Sequence, residues 1–131
     1  MEIAEETGAK WNAARQILGV GPMLVKDKSV YLTTKTEQFG SDVAAGRAPR
    51  TAVGVTADGR VLLVVVDGRQ SHSIGCTLLE LALLMQELGA VDAVNFDGGG
   101  SSEMILKGEI VNSPSDGGER SVGSALLLME K

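Results

Sequence analysis

A single cysteine, Cys76, stands in this chain of 131 residues. An internal disulfide is therefore excluded, and no cysteine cluster exists to hold a metal. Aromatic residues make up 3% of the sequence, no run of lysine or arginine occurs, and the formal net charge is −5. Nucleic-acid surfaces need a basic stripe or stacking aromatics, so a nucleic-acid partner is not expected. No apolar run is long enough to span a bilayer, and no secretory leader is recognisable. The opening "MEIAEE" reads as a helix start or a cut end, so the missing leader leaves the compartment open.

Hydrophobic residues account for 44% of the chain, which is enough for one compact domain with a core. Residues 2–18 have the pattern of a short helix that stops near Gly19 and Gly21, with Trp11 as a core or interface residue. "MLVKDKSVYL", residues 23–32, predicts a hairpin turning at Asp27-Lys28. Residues 33–49 are polar and irregular. Residues 51–56 and 61–66 predict strands joined by the tight-turn signal "ADG". "VLLVVV" is apolar throughout, as expected of a strand buried on both faces. Residues 77–88 give the clearest helix, stopped by Gly89; its surface is apolar almost all round, which predicts a sandwiched helix. Strands follow at 91–96, 102–106, 109–111 and 121–129. The expected fold class is α+β: a mixed sheet with a buried central helix and hairpins flanking a βαβ unit.

A strand, a helix and a strand in succession normally run parallel. Asp67 and Asp97, each following one of those strands, then share one sheet edge. Arg50, at the start of the antiparallel hairpin partner, arrives at the same edge, as do Asn112 and the loop "SPSDGGER". One edge thus collects the polar motifs, and carboxyl ends of strands are where α/β sheets place ligands.

The loop "NFDGGGSSEM" at 95–104 is the most unusual stretch. Gly98, Gly99 and Gly100 exceed what a turn needs, which suggests a bare backbone approached by ligand, with N–H groups able to cradle an anion and with Asp97, Ser101 and Ser102 beside them. The plainer alternative is a wide turn with Asp97 bonding its own loop. Arg50, Arg69 and Arg120 can fork a phosphate, or can be ordinary solvated arginines. "TLLE" at 77–80 is a capping-box pattern, so Glu80 is either a helix cap or a carboxylate available at the same edge. Asn95, Asn112, Ser115 and Asp116 can bond sugar hydroxyls, yet "NSPSDG" is also ordinary turn sequence. His72 reads as a solvated histidine and Cys76 as a small packing residue.

Five stretches in register resemble the phosphodiester glycosidase family: "GVGPMLVKD", "PRTAVGVTADG", "VVVDGRQ", "SIGCTLLELALLMQELGAVDAVNFDGGGSSEM" and "GEIVNSPSDGGERSVGSALLL". The family includes the enzyme that removes N-acetylglucosamine from a phosphodiester and bacterial exopolysaccharide-associated relatives. The chain resembles the later two-thirds of that domain, since the family's earlier segment has no counterpart here; the expected organisation is one domain, 1–131, complemented by such a segment or by oligomerisation. The resemblance implies hydrolysis of a sugar-1-phosphodiester at the anomeric carbon. It implies Asp97, Asp67 and Glu80 as catalytic candidates. The substrate-binding candidates are Arg50, Arg69, Gly98, Gly99, Gly100, Ser101, Ser102, Asn112, Asp116 and Arg120. The implied partner is a phosphodiester-linked glycan, outside the cell or in its envelope. A non-catalytic phosphoglycan-binding module is the alternative. No cofactor is implied; Asp67, Asp97 and Asp116 are residues of the type that hold calcium, but no EF-hand spacing supports one. A P-loop reading fails because no lysine follows the glycines.

Overall fold

The computed structural model describes residues 15–129. The helix expected over 2–18, with Trp11, lies mostly outside the described residues, and residues 15–18 are not helical. The elements in chain order are β1 (Met23–Lys26), β2 (Ser29–Val30), α1 (Ser41–Ala45), β3 (Arg50–Thr56), β4 (Val61–Val66), α2 (Leu78–Glu87), β5 (Ala90–Asn95), a 3-10 turn (Gly99–Ser101), β6 (Ile105–Leu106) and β7 (Glu109–Ile110). The fold is α+β, with a five-stranded sheet in the order β2-β1-β5-β3-β4 and a separate β6-β7 hairpin.

Turn chemistry sets the two sheet hairpins and the small one. Asp27 and Lys28 both take positive φ, which gives β1-β2 a tight turn whose twist matches the strands. Gly59 at φ +83° closes β3-β4, and Lys107-Gly108 repeats the positive-φ pair in β6-β7. The sheet is not mixed. Every bonded pair is antiparallel, because β3 lies between β4 and β5 and pairs with both. The two outer strands of that trio still run in the same direction, so α2 crosses over from β4 to β5 with one strand intervening. Neighbouring strands are about 4.8 Å apart, which sets β4 and β5 roughly 10 Å apart.

Helix α2 places Leu78, Leu81, Ala82 and Met85 on one stripe, at the spacing of a single helix face. That stripe packs on Leu24, Val25, Ala52, Ala90 and Ala93 to form the core. Gly54 makes the close approach possible, since a Cβ there would stand 2.8 Å from Met85 Cε and 3.0 Å from the Asp92 carbonyl. The helix is not sandwiched as its composition suggests: Leu79 and Leu83 are about half exposed, at 51% and 49%. Nor is β4 buried on both faces. It is an edge strand that turns Leu62, Val64 and Val66 toward the core and leaves Val61 open to solvent. Residues 121–129 form no strand, and Leu126 to Met129 are exposed. Their apolar composition gives strand propensity, but no strand among the described residues pairs with them, and propensity without a partner does not make a strand.

Candidate functional site

The carboxyl ends of β4 and β5 and the start of β3 meet at one edge of the sheet. Arg50 pairs with Val66, and the Phe96 amide donates to the Thr51 carbonyl at 2.8 Å. Asp67 and Asp97 therefore emerge at the same edge, on either side of Arg50. A cavity of about 850 Å³ opens there. Among the residues singled out from sequence, Arg50, Arg69, Asn95, Asp97, Gly98, Gly99, Gly100, Ser101 and Arg120 line it. Asp67, Glu80, Ser102, Asn112 and Asp116 do not line it, though each lies within bonding reach of a residue that helps build the edge.

The three glycines have three separate packing reasons. A Cβ on Gly98 would stand 2.9 Å from the Pro49 carbonyl oxygen. Gly99 takes φ +63°, and a Cβ there would stand 3.2 Å from Arg69 Nη1. A Cβ on Gly100 would fall 2.1 Å from Asp116 Oδ2. The loop is bare because β3, the Arg69 loop and the Asp116 loop all press on it. An open row of N–H groups is not what the structure shows. The Gly98 amide donates to Asp97 Oδ1, Gly99 to the Pro49 carbonyl, Ser101 to Gly98 and Ser102 to Gly99.

Positive charge dominates the cavity wall. Arg47, Arg50, Arg69 and Arg120 line it, while Asp97 is the only carboxylate among the lining residues. Arg50 is 5% exposed and is held by carbonyls alone: Nε donates to Cys76, and Nη2 donates to Val43 and Gly46. Among the described residues its Nη1 has no partner and its charge has no carboxylate. Burial, above all, lowers the Arg50 pKa from its ordinary value, and the like charge of Arg69 acts in the same direction. Arg69 has no ionic or hydrogen-bonded partner among the described residues. Two uncompensated guanidinium groups in one recess attract an anion, and the planar fork suits a phosphate.

Arg47 is held by Glu80 and by the Gly75 carbonyl. Nothing in its sequence context marked it, because an arginine in a polar stretch has no distinguishing pattern. Phe39 and Val43, which also line the cavity, come from the same stretch of 33–49, which is not wholly irregular as expected, since α1 with Val43 forms within it. Glu80 is a cap in fact. Its Oε2 accepts the Thr77 amide at 2.9 Å while Thr77 Oγ1 accepts the Glu80 amide at 3.2 Å. The bond from Thr77 and then the one from Arg47 hold its carboxyl below the ordinary value.

Asp67 serves a clasp between two loops. Its Oδ1 accepts from Asn112 Nδ2 and from the Ser113 amide, both at 3.0 Å, and its Oδ2 lies 3.3 Å from His72 Nε2. Gln70 completes the clasp, donating to the Ser113 carbonyl at 2.6 Å and accepting from Ser113 Oγ at 2.9 Å. Burial pushes the Asp67 carboxyl upward, but the bonds from Asn112, Ser113 and His72 outweigh it and hold the carboxyl below its ordinary value. Asn112 also donates to the Ser102 carbonyl and accepts the Met104 amide. The clasp thus carries the following loop over the glycines, where Asp116 pairs with Arg120 at 3.1 Å. Ser102 is buried, and its hydroxyl accepts from Thr51 Oγ1 at 3.2 Å. Cys76 is half-buried, and burial raises its thiol pKa. No group of three or more His, Cys, Asp or Glu side chains is arranged to hold a metal among the described residues.

These features give an α+β fold with an arginine-lined cavity at one edge of its sheet. The phosphodiester glycosidase family profile matches residues 1–129, and the chain belongs to that family. It is 35% identical over 115 residues to the SPbeta prophage-derived uncharacterized protein YomE of Bacillus subtilis, a match that spans 88% of this chain and 17% of that protein. It is 32% identical over 111 residues to the mouse N-acetylglucosamine-1-phosphodiester alpha-N-acetylglucosaminidase, spanning 77% of this chain and 21% of the enzyme. A crystal structure of a hypothetical protein from Synechocystis superposes with a TM-score of 0.75 at 32% identity, covering 86% of this chain and 21% of that one. The chain spans about a fifth of the length of these relatives.

Proposed function

We propose that the cavity binds a sugar-1-phosphodiester and that the domain hydrolyses it at the anomeric carbon. The observation that carries this reading is the make-up of the cavity wall: four arginines and one carboxylate. The arginines suit the phosphate. Asp97 suits the anomeric carbon, where positive charge develops as the bond breaks. Water adds its oxygen to that carbon and gives up one proton, to Asp97 or to the departing phosphate, while the bond from carbon to the phosphate oxygen breaks and a phosphate monoester leaves. Its second pKa is about 6, so it departs as a stable anion without a strong general acid. One carboxylate in the cavity is then sufficient where an ordinary glycoside needs two. The mouse relative's name describes the same bond, in an N-acetylglucosamine phosphodiester. Such a substrate fits a place outside the cell or in its envelope, and no helix among the described residues is long and apolar enough to cross a membrane.

The single carboxylate also suits the second reading, a module that binds a phosphoglycan without cleaving it. One assay separates the two. The chain is incubated with an N-acetylglucosamine 1-phosphodiester, and free N-acetylglucosamine is measured. Release above the uncatalysed rate supports hydrolysis. Saturable binding without release supports the module. Absence of both overturns the sugar-phosphodiester assignment.

A further inference from the structure

We infer that Asn95 acts as a specificity-determining residue of this cavity, accepting a hydrogen bond from a neutral donor, a hydroxyl or amide N–H, on the sugar half of the ligand. The inference rests on the sugar-phosphodiester reading above and adds a requirement to it. Asn95 ends β5, is 6% exposed, and lines the cavity beside Asp97 and the glycines. Its amide is oriented by two carbonyls. Nδ2 donates to Gly21 at 2.9 Å and to Phe96 at 2.8 Å, which occupies both amide hydrogens. A flipped amide would set an oxygen against both carbonyl oxygens, so the orientation is fixed. Oδ1 is left as an acceptor. It is buried and has no hydrogen-bond partner among the described residues.

A buried acceptor without a donor is unfavourable, and buried polar side-chain atoms are normally paired. Bulk water scarcely reaches this oxygen, so a donor reaches it only by displacing part of the wall that Asn95 shares with its cavity-lining neighbours. A phosphate oxygen in its ionised form has no proton to give and is repelled by an amide oxygen. A sugar hydroxyl or an acetamido N–H has one. The cavity therefore has a cationic side for the phosphate and a neutral acceptor for the glycosyl group. The other buried side-chain atom without a partner among the described residues, the Ser115 hydroxyl, does not line the cavity and takes no part in this.

The test uses the 131-residue chain with inorganic phosphate, N-acetylglucosamine 1-phosphate, glucose 1-phosphate, and the monodeoxy and deoxyfluoro analogues of the acetylated sugar phosphate. Affinity is read by calorimetry, and the Asn95 side-chain amide by nuclear magnetic resonance. We expect one analogue lacking a single donor to bind at least about tenfold more weakly than the parent, because a site built around a donor rejects the ligand without it. If that donor is a hydroxyl, fluorine in its place gives the same loss. The Asn95 amide signals shift with the sugar phosphate and stay still with inorganic phosphate. In Asn95→Ala the selective loss disappears; should that variant fail to fold, the ligand series and the amide signals of the wild-type chain decide alone. Equal affinity across the analogues, or Asn95 signals that move equally with inorganic phosphate, overturns this inference and leaves the sugar-phosphodiester reading standing. Failure of every phosphate probe to bind overturns both.

Discussion

A Cβ on Gly100 and one on Gly98 would meet different kinds of neighbour, and the difference sets an order of tolerance. At Gly100 the obstacle is the exposed end of the Asp116 side chain, which can turn away by giving up Arg120. At Gly98 it is the Pro49 carbonyl, a piece of backbone leading into β3. Gly75 is the most constrained, with φ +87° and the Ala48 carbonyl oxygen 2.4 Å from the Cβ position. We expect Gly75→Ala and Gly98→Ala each to cost about 1–3 kcal/mol or more in chemical denaturation, and Gly100→Ala less than either. Gly100→Ala instead weakens phosphate binding, because Arg120 loses its tether. A Gly100 variant more destabilised than Gly98→Ala contradicts this ranking. Asp67 gives a pH-dependent test. Its folded pKa is lowered from the ordinary value of 3.8, so its contribution is fully present above that value and is lost as pH falls through the lower, folded value. Asp67→Asn should destabilise the protein at neutral pH by about 1–3 kcal/mol through its charge-assisted bonds. The gap to wild type should narrow in melting curves taken progressively below pH 3.8. A gap that stays constant to acid pH contradicts the clasp.

At the scale of elements, the start of α2 joins local helix stability to the cavity. Thr77 and Glu80 satisfy two amides reciprocally, while the other oxygen of Glu80 holds Arg47 in the wall. Thr77→Ala should cost about 1 kcal/mol. Glu80→Gln should melt at the wild-type temperature, because glutamine also accepts the Thr77 amide, and should keep turnover near wild type. A folded Glu80→Gln with turnover reduced about a hundredfold contradicts the cap and marks Glu80 as an acid–base group. This helix was legible in the sequence because its cap, its stop at Gly89 and its apolar stripe all agree. The hairpins were legible for a similar reason, as Asp27-Lys28, Gly59 and Lys107-Gly108 fix turns locally. Strand order was not. Nothing local tells that β3 inserts between β4 and β5, since that choice is made by core packing. For the same reason, apolar composition misplaced β4 and the outer side of α2 as fully buried and promised a strand at 121–129.

For the whole molecule, the polar motifs converge on one edge because chain direction reverses at each hairpin. That much follows from sequence. The division of labour at the edge does not, because Asp67, Asn112 and Ser102 share residue types with the cavity lining and differ only in what they touch. Arg47 lies beyond any local pattern; Asn95 was a candidate from its residue type, but the Gly21 contact that helps fix its amide is not local. The same molecule leaves apolar surface uncovered: β4 has a neighbour on one side only among the described residues, and Val61 on it is 53% exposed. An unpaired apolar edge templates association. The central claim concerns Asp97, the only carboxylate among the cavity-lining residues. Its most direct test is the rate of sugar release from an N-acetylglucosamine 1-phosphodiester by wild type and by Asp97→Asn, with folding checked by circular dichroism. The account predicts a folded variant whose turnover falls about a hundredfold or more, whereas a folded Asp97→Asn that releases sugar at the wild-type rate would contradict it.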